Sequence, residues 1–289
     1  MTPRTIRHVD AFTTRPLEGN PAAVVDGDGL DAAVMQRIAL NQKLSETVFL
    51  LPPRDPANHA RLRIFTPAVE LPFAGHPTLA AAHVLDSEGL VTRAAGEPLR
   101  LETDAGLIPV EVRAGDPPLY TMTQRPPAFR PCAIPLAEIA AWIGVRADDV
   151  THAEYVDTGI EWLIVRLTSF DAMLRVRLDA TAIGENEVSV FCIGAADPEA
   201  SIRVRTFAPA AGIVEDPITG SSNGCIAALI ARDGLLPAQD GELRYIAEQG
   251  IEIGQPGRVY LRVTGTPDAL TVQVGGSAVT VLRGELLLD

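Results

Sequence analysis

Arg63-Ile-Phe-Thr-Pro-Ala-Val-Glu-Leu-Pro-Phe-Ala-Gly-His76 decides how this chain is read, because much of it returns in the second half. The second copy runs Arg205-Thr-Phe-Ala-Pro-Ala210 and, after an insert of three residues, Glu215-Asp-Pro-Ile-Thr-Gly-Ser221. Each copy reads as a strand ending in Phe and a Pro turn, then Glu-x-Pro-x-x-Gly, then an Ala-rich apolar helix, over His76–Leu90 in one and Ser221–Asp233 in the other. Solenoids need about three or more stacked repeats, so two copies half a chain apart predict a duplicated domain. The expected place for chemistry is the cleft between the copies. A glycine before a helix lets a ligand approach the backbone, and the unpaired N–H groups of a first turn attract anions, so two such ends suit carboxylates. The alternative for either copy alone is that Gly75 and Gly220 make turns and that Ser221 or Ser222 is an ordinary N-cap.

A chain of 289 residues is long enough for two domains, each with its own core. With 47% hydrophobic and 21% charged residues the composition is globular and free of low-complexity tracts. Lys and Arg number 24 against 37 Asp and Glu, a net charge of −13, and there is no basic run, which argues against nucleic acid and anionic membranes as partners. The N-terminus lacks an apolar core of signal-peptide length, and no apolar run reaches membrane-spanning length, so a cytoplasmic location is expected. Cys132, Cys192 and Cys225 are widely spaced and odd in number, unlike a disulfide framework or a zinc site.

The patterning predicts strands at Thr5–Phe12 and Ala22–Val25, a helix over Asp31–Leu44, and a strand at Thr47–Leu51 with Glu46 at its entrance. Further strands are expected at Leu99–Thr103, Leu107–Arg113 and Leu119–Gln124. The segment Arg125-Pro-Pro-Ala-Phe-Arg-Pro131 is expected not to continue the sheet, since proline lacks the ladder donor. It marks the boundary between an N-terminal domain, 1–125, and a C-terminal domain, 126–277. The second half reads as helices at Leu136–Ile143 and Ser169–Arg175, with strands at Trp162–Leu167 and Ile202–Phe207. Strands follow at Leu243–Glu248, Arg258–Thr264 and Leu270–Val274, and the last, about 278–289, is a candidate to return to the first domain. Strands outnumber helices and long helical crossovers are few, which predicts an α+β fold with strands wrapped around a buried helix.

Glu46 stands out as a carboxylate set between Leu44 and the apolar run Val48–Leu51, a partly desolvated setting suited to a general base; the alternative is a solvated strand-edge residue. His76, between Gly75 and Pro77, could donate to a substrate carboxylate or shuttle a proton, against a capping or packing role. Asp216 is polar where the first copy has Leu71, an asymmetry that suggests function; an Asp starting a turn before Pro is the alternative. Gly220-Ser-Ser-Asn-Gly224 has the Gly-x-Ser-x-Gly spacing of a nucleophile elbow. In that fold the histidine follows the serine, whereas all five histidines here precede Ser222. No metal motif, Walker loop or dinucleotide fingerprint is found, so a cofactor-independent reaction with no metal site is the simplest assumption.

Together these motifs resemble the PhzF-like proteins of phenazine biosynthesis, which share the diaminopimelate epimerase fold. The matching residues are Val9-Asp-Ala-Phe12, Leu17-Glu-Gly-Asn-Pro21, Leu44-Ser-Glu-Thr47, Arg63–Pro67, Glu70–Pro77 and Glu215–Ser221. The resemblance implies two pseudo-symmetric domains, each a curled mixed sheet or barrel around a central helix, with the active site between them and usually a homodimer. It implies Glu46 as acid/base, with His76 and Asp216 as its catalytic companions, and Asn20, Gly75, Gly220, Ser221 and Ser222 as substrate-binding candidates. The implied reaction is a double-bond shift in a small unsaturated carboxylic or amino acid, in which Glu46 removes a proton from one carbon and returns it to another. Racemases of this fold place a thiol at each helix start; here those positions hold Ala74 and Thr219, while Cys225 lies deeper in its helix as a buried packing residue. Two other readings stay open: racemisation or epimerisation by groups on opposite faces, such as Glu46 with His76 or Asp216, and a catalytically silent protein that binds a small acid.

Overall fold

The computed structural model describes residues 3–288; positions 1 and 2 of the expected N-terminal domain and position 289 of the expected last strand lie outside the described residues. The chain divides into two compact units, residues 1–122 with 275–289, and residues 123–274. The first break falls a few residues before Arg125.

The first unit begins with β1 (Arg4–Ala11), β2 (Asn20–Asp26), α1 (Ala32–Gln42) and β3 (Glu46–Leu51). It continues through β4 (Ala60–Phe65), the short β5 (Glu70–Leu71), α2 (Gly75–Ser87), β6 (Leu99–Thr103), β7 (Gly106–Arg113) and β8 (Leu119–Thr123). The second unit holds β9 (Ala128–Pro131), α3 (Leu136–Trp142), β10 (Val150–Asp157), β11 (Glu161–Leu167), α4 (Phe170–Arg175) and β12 (Val188–Ile193). It closes with β13 (Ile202–Ala208), β14 (Ile213–Asp216), α5 (Gly220–Arg232), β15 (Glu242–Gln249), β16 (Gly257–Thr266) and β17 (Ala269–Gly276). The last strand, β18 (Ala278–Leu286), pairs antiparallel with β1 in the first unit.

The two units repeat one ladder. In the first, β18 and β1 are antiparallel, β1 and β2 antiparallel, β2 and β3 parallel, β3 and β4 antiparallel, β4 and β6 parallel, β6 and β7 antiparallel. In the second, β9, β10, β11, β12, β13, β15 and β16 follow each other with the same sequence of senses. A parallel neighbour requires a crossover, and helices supply it at equivalent places: α1 and α4 at the first parallel step, α2 and α5 at the second. The fold is α+β, sheet-dominated and doubled.

The segment Arg125–Pro131 departs from expectation. Ala128–Pro131 does join the sheet, with Ala128 opposite Asp157 and Pro131 opposite Glu154. Its one ladder partner among the described pairings is β10, so it is an edge strand, where the missing N–H of a terminal proline breaks no interior ladder.

The central helices follow from their composition. In α2 every residue from His76 to Leu85 is buried, and the helix packs against β1 to β4 and β18, so small Ala80, Ala81 and Ala82 allow strands to close around it. In α5 all residues from Ser222 to Ile230 are buried, and it packs against β10, β11 and β16. The amphipathic α1 covers a separate core of Ile6, Ala23, Val25, Met35, Ile38, Phe49 and Phe65. Its N-cap Asp31 accepts a hydrogen bond from Val34 N at 2.8 Å, satisfying an otherwise orphaned first-turn donor. Among the described residues no helix is long and apolar enough to cross a membrane.

Candidate active site

The duplicated motif builds the same frame twice. Arg63 grips Glu70 through Nε to Oε1 at 2.6 Å and Nη2 to Oε2 at 2.7 Å. Arg205 grips Glu215 through Nε to Oε1 at 2.8 Å and Nη2 to Oε2 at 2.7 Å. Both guanidinium groups lie 5.2 Å from the ring of the Phe two residues on, Phe65 or Phe207. A bidentate pair fixes direction as well as distance, so each clamps the strand to the loop that leads into the helix.

Both helices begin at the glycine itself. The N-caps of α2 and α5 are Ala74 and Thr219, and neither side chain caps the helix. Ser221 and Ser222, weighed above as N-caps, lie within the first turn. One turn further, Thr78 Oγ1 donates to Ala74 O at 2.7 Å and Asn223 Nδ2 donates to Thr219 O at 2.9 Å, the same bond in each copy. First-turn N–H groups left uncapped by side chains suit an anionic ligand group.

Around this shared frame the units carry different chemistry. In the first, Glu46 opens β3 and His76 is the second residue of α2. Glu46 Oε2 lies 3.1 Å from His76 Nε2, with both side chains about nine-tenths buried, at 12% and 9% exposed. The ring is not aligned along a hydrogen bond to that oxygen, and Oε2 is buried without an aligned donor among the described residues. Proximity and alignment thus differ, and alignment decides whether the oxygen's lone pairs are engaged. Ser45 Oγ lies 3.4 Å from the same His76 nitrogen. Asn20 is buried at the start of β2, opposite Ala11. Its predecessor Gly19 has φ +76°, and a Cβ there would lie 2.3 Å from Ala11 O, which explains the glycine in Leu17–Pro21.

In the second unit Thr219 Oγ1 donates to Asp216 Oδ2. Gln249, fully buried at the end of β15, orders the loop with all its hydrogen-bonding capacity. Its Nε2 donates to Thr219 Oγ1 at 3.2 Å and Asp216 O at 3.1 Å, while its Oε1 accepts from Thr219 N at 3.2 Å and Asn223 Nδ2 at 2.8 Å. Ser221 Oγ accepts from Trp162 Nε1 at 3.0 Å. Gly220 carries a different bond, from Gln124 Nε2 to its carbonyl at 3.2 Å.

Ser222 is fully buried, with its hydroxyl 3.1 Å from Thr206 Oγ1 and donating to Thr219 O at 3.3 Å. The hydroxyl ties α5 to β13, which is not a nucleophile's setting, while the Ser222 backbone lies in the first turn of α5. Gly224 of the same Gly-x-Ser-x-Gly run serves packing: a Cβ would sit 1.9 Å from Gln124 Oε1. Burial pushes the Cys225 thiol up to about 12, and its Sγ lies 3.2 Å from Val156 O, so it is a packing group. Among the described residues no three His, Cys, Asp or Glu side chains converge as a metal-ligand set.

Gln249, Thr219 and Asn223 escaped the sequence reading as network members. Thr219 sits inside the repeated motif at the place of Ala74, and Asn223 lies two residues past the motif at the place of Thr78, so their polarity was a readable signal. Gln249 is distant in sequence and gave none.

A doubled, sheet-dominated α+β fold with one buried helix in each unit defines the fold class. Solved structures agree: a hydroxyproline epimerase from Agrobacterium vitis superposes with a TM-score of 0.63 at 15% identity, covering 100% of this chain and 92% of that one, a likeness of fold. A PhzF-family phenazine biosynthesis protein from Bacillus anthracis superposes with a TM-score of 0.90 at 31% identity, each chain covered completely. The family model described as PhzC-PhzF, phenazine biosynthesis-like protein, matches residues 9–284. The chain belongs to this PhzF family of isomerases. Among its relatives is the trans-2,3-dihydro-3-hydroxyanthranilate isomerase of Pseudomonas chlororaphis, 38% identical over 285 residues that cover 97% of this chain and 98% of the relative.

Proposed function

We propose that this protein is a cofactor-independent isomerase that shifts a proton and a double bond within a small unsaturated carboxylic or amino acid, with Glu46 as acid/base. The observation that carries this reading is the buried Glu46 Oε2, undonated and 3.1 Å from His76 Nε2. In the proposed step the Glu46 carboxylate accepts a proton from a carbon next to the double bond. The C–H electron pair becomes the new double bond, the old double bond's electrons move to the far carbon, and the Glu46 acid proton is delivered there. The carboxylate is regenerated and nothing is oxidised or reduced. Burial of both side chains limits the water that competes with substrate at the reacting carboxylate. His76 stands where it can stabilise charge on Glu46 or on substrate as it develops.

The kinship with dihydro-hydroxyanthranilate isomerases supports a cyclic unsaturated amino acid as first candidate substrate. The roles implied for Asp216, Asn20, Gly75, Gly220, Ser221 and Ser222, a homodimeric assembly and a cytoplasmic location belong to the same proposal. Proton NMR in deuterium oxide tests it, with trans-2,3-dihydro-3-hydroxyanthranilate and a panel of unsaturated acids. Glu46→Gln should abolish both isomerisation and deuterium uptake, with kcat down at least ~100-fold, the lower range for loss of a general acid/base. Turnover within a few fold of the parent sinks the assignment of Glu46, and sedimentation at micromolar concentration tests the dimer.

A further inference from the structure

The ladder that repeats across the two units places a second carboxylate where Glu46 stands. Thr47 pairs with Phe65 in the first unit and Val188 with Phe207 in the second, and Phe65 and Phe207 are the equivalent Phe residues of the duplicated motif. On the other side, Thr47 lies opposite Ala23 across the parallel step from β2 to β3, as Val188 lies opposite Leu163 across the parallel step from β11 to β12. Thr47 and Val188 therefore hold one position in the repeated fold. The residue immediately before each is a glutamate, Glu46 or Glu187, and the pair Ser45-Glu46 becomes Asn186-Glu187.

Within the second unit the strand that follows Glu187 is tied to the first turn of α5. Ser189 Oγ lies 2.8 Å from Thr206 Oγ1, which lies 3.1 Å from Ser222 Oγ. The equivalent residues in the first unit, Val48, Ile64 and Pro77, make no such chain; the second unit alone spans strand to helix with buried hydroxyls. The backbone at Glu187 is fixed as well, since its carbonyl accepts from Leu163 N at 3.0 Å.

Glu187 is half-buried, and among the described residues its side chain has no hydrogen bond or ion pair. That is unusual in this molecule, where the buried carboxylates Asp149, Glu215 and Glu248 are each held by an arginine. Among the described residues the Glu187 carboxyl group thus adds no ion pair or side-chain hydrogen bond to the fold around it. Burial alone raises its carboxyl pKa from the ordinary value, the direction that favours the proton-holding form.

We propose that Glu187 is a second proton-transferring carboxyl group of this enzyme, the counterpart in the second unit of Glu46 in the first. The inference rests on the isomerase reading given above. In a turnover that uses both groups, Glu46 as carboxylate takes the proton as the C–H pair enters the π system, Glu187 as carboxylic acid gives a proton to carbon in place of the one Glu46 would otherwise return, and proton exchange with solvent resets both groups. No oxidant or co-reactant is required.

The test compares parent, Glu187→Gln, Glu187→Asp and Glu46→Gln in the deuterium-exchange assay, with thermal unfolding of each. Gln keeps the shape of Glu187 and removes an unpaired charge, so its thermal midpoint should not fall. The expected result is a kcat for Glu187→Gln at least ~100-fold below the parent with KM within a few fold, loss of one limb of the pH–kcat profile, and partial recovery in Glu187→Asp. Parent-like kcat, KM and pH profile in Glu187→Gln, alongside a dead Glu46→Gln, overturns the inference and leaves the isomerase reading standing. A parent inert toward every compound overturns that reading instead. Glu187 is then judged without substrate by carbon-13 titration, read as the difference between parent and Glu187→Gln. A midpoint in the ordinary glutamate range overturns the inference, and a raised one supports it.

Discussion

The duplicated Arg–Glu clamp offers a perturbation whose size differs between the copies for a structural reason. Glu215→Gln and Glu70→Gln are the same substitution at equivalent positions. Arg205 and Glu215 are 7% and 10% exposed, and Arg63 and Glu70 are 17% and 29% exposed. Removing one charge of a buried pair costs about 3–5 kcal/mol, mostly because the remaining ion stays out of water uncompensated. Gln at 215 keeps a neutral acceptor, and Arg205 Nη1 still donates to Val176 O at 2.8 Å, so the lower end, about 3 kcal/mol, is expected there. Water reaches the Arg63 pair and screens it, which reduces the expected loss at Glu70 to about 1 kcal/mol. In a protein of this size each kcal/mol moves the midpoint by about 2–4 °C. The expectation is thus a drop of about 6–12 °C for Glu215→Gln and about 2–4 °C for Glu70→Gln. Differential scanning calorimetry at neutral pH and low salt, repeated at high salt, reads both. Equal losses, or a Glu215→Gln loss under about 1 kcal/mol, would refute the claim that burial sets the worth of the clamp.

Three further outcomes follow from the packing and charge on view. Gly224→Ala should lower the midpoint by several degrees, because its Cβ would meet a Gln124 side chain already engaged with Gly220 O and Thr158; unchanged stability would show that Gln124 moves aside freely. A thiol reagent at pH 8 should label half-buried Cys132 in the folded protein and reach Cys225 only on unfolding, since at pH 8 a thiol pushed up to about 12 is almost wholly protonated; mass mapping of labelled peptides checks this. The hydrogen bond from Arg7 holds the Glu88 carboxyl below its ordinary value. Its contribution is therefore full above about pH 4.5, where the unfolded carboxyl is ionised, and is lost as pH falls through the lower folded value. Glu88→Gln should flatten the acid limb of the stability–pH curve below about pH 4.5, and a curve parallel to the parent's there would count against the pairing.

Much of the frame was legible before any coordinates. The repeat announced two related units because Arg, Phe, Pro, Glu and Gly recur at places set by local physics: a clamp, a turn, a helix entrance. Apolar periodicity located α1, α2, α5 and most strands to within a few residues, since burial of one face is written in the pattern itself. The proline-bearing Arg125–Pro131 misled, because proline excludes a central strand and says nothing against an edge. Val188–Ile193 drew no reading at all, although its run is β-prone.

The sequence by itself determined the duplication, the family resemblance and the candidates Glu46, His76 and Asp216, because these depend on residues close along the chain. Tertiary structure alone decided that Glu46 and His76 lie 3.1 Å apart with a carboxylate oxygen undonated, that Ser222 faces inward, and that Gln249 orders the Asp216 loop. It also decided that Glu187 answers to Glu46, an equivalence carried by ladder register with almost no shared side chains around it. Hydrogen-bond ladders join residues far apart in the chain through backbone groups that every residue possesses, so a sequence does not spell out the register that brings two carboxylates to one place in a repeated fold.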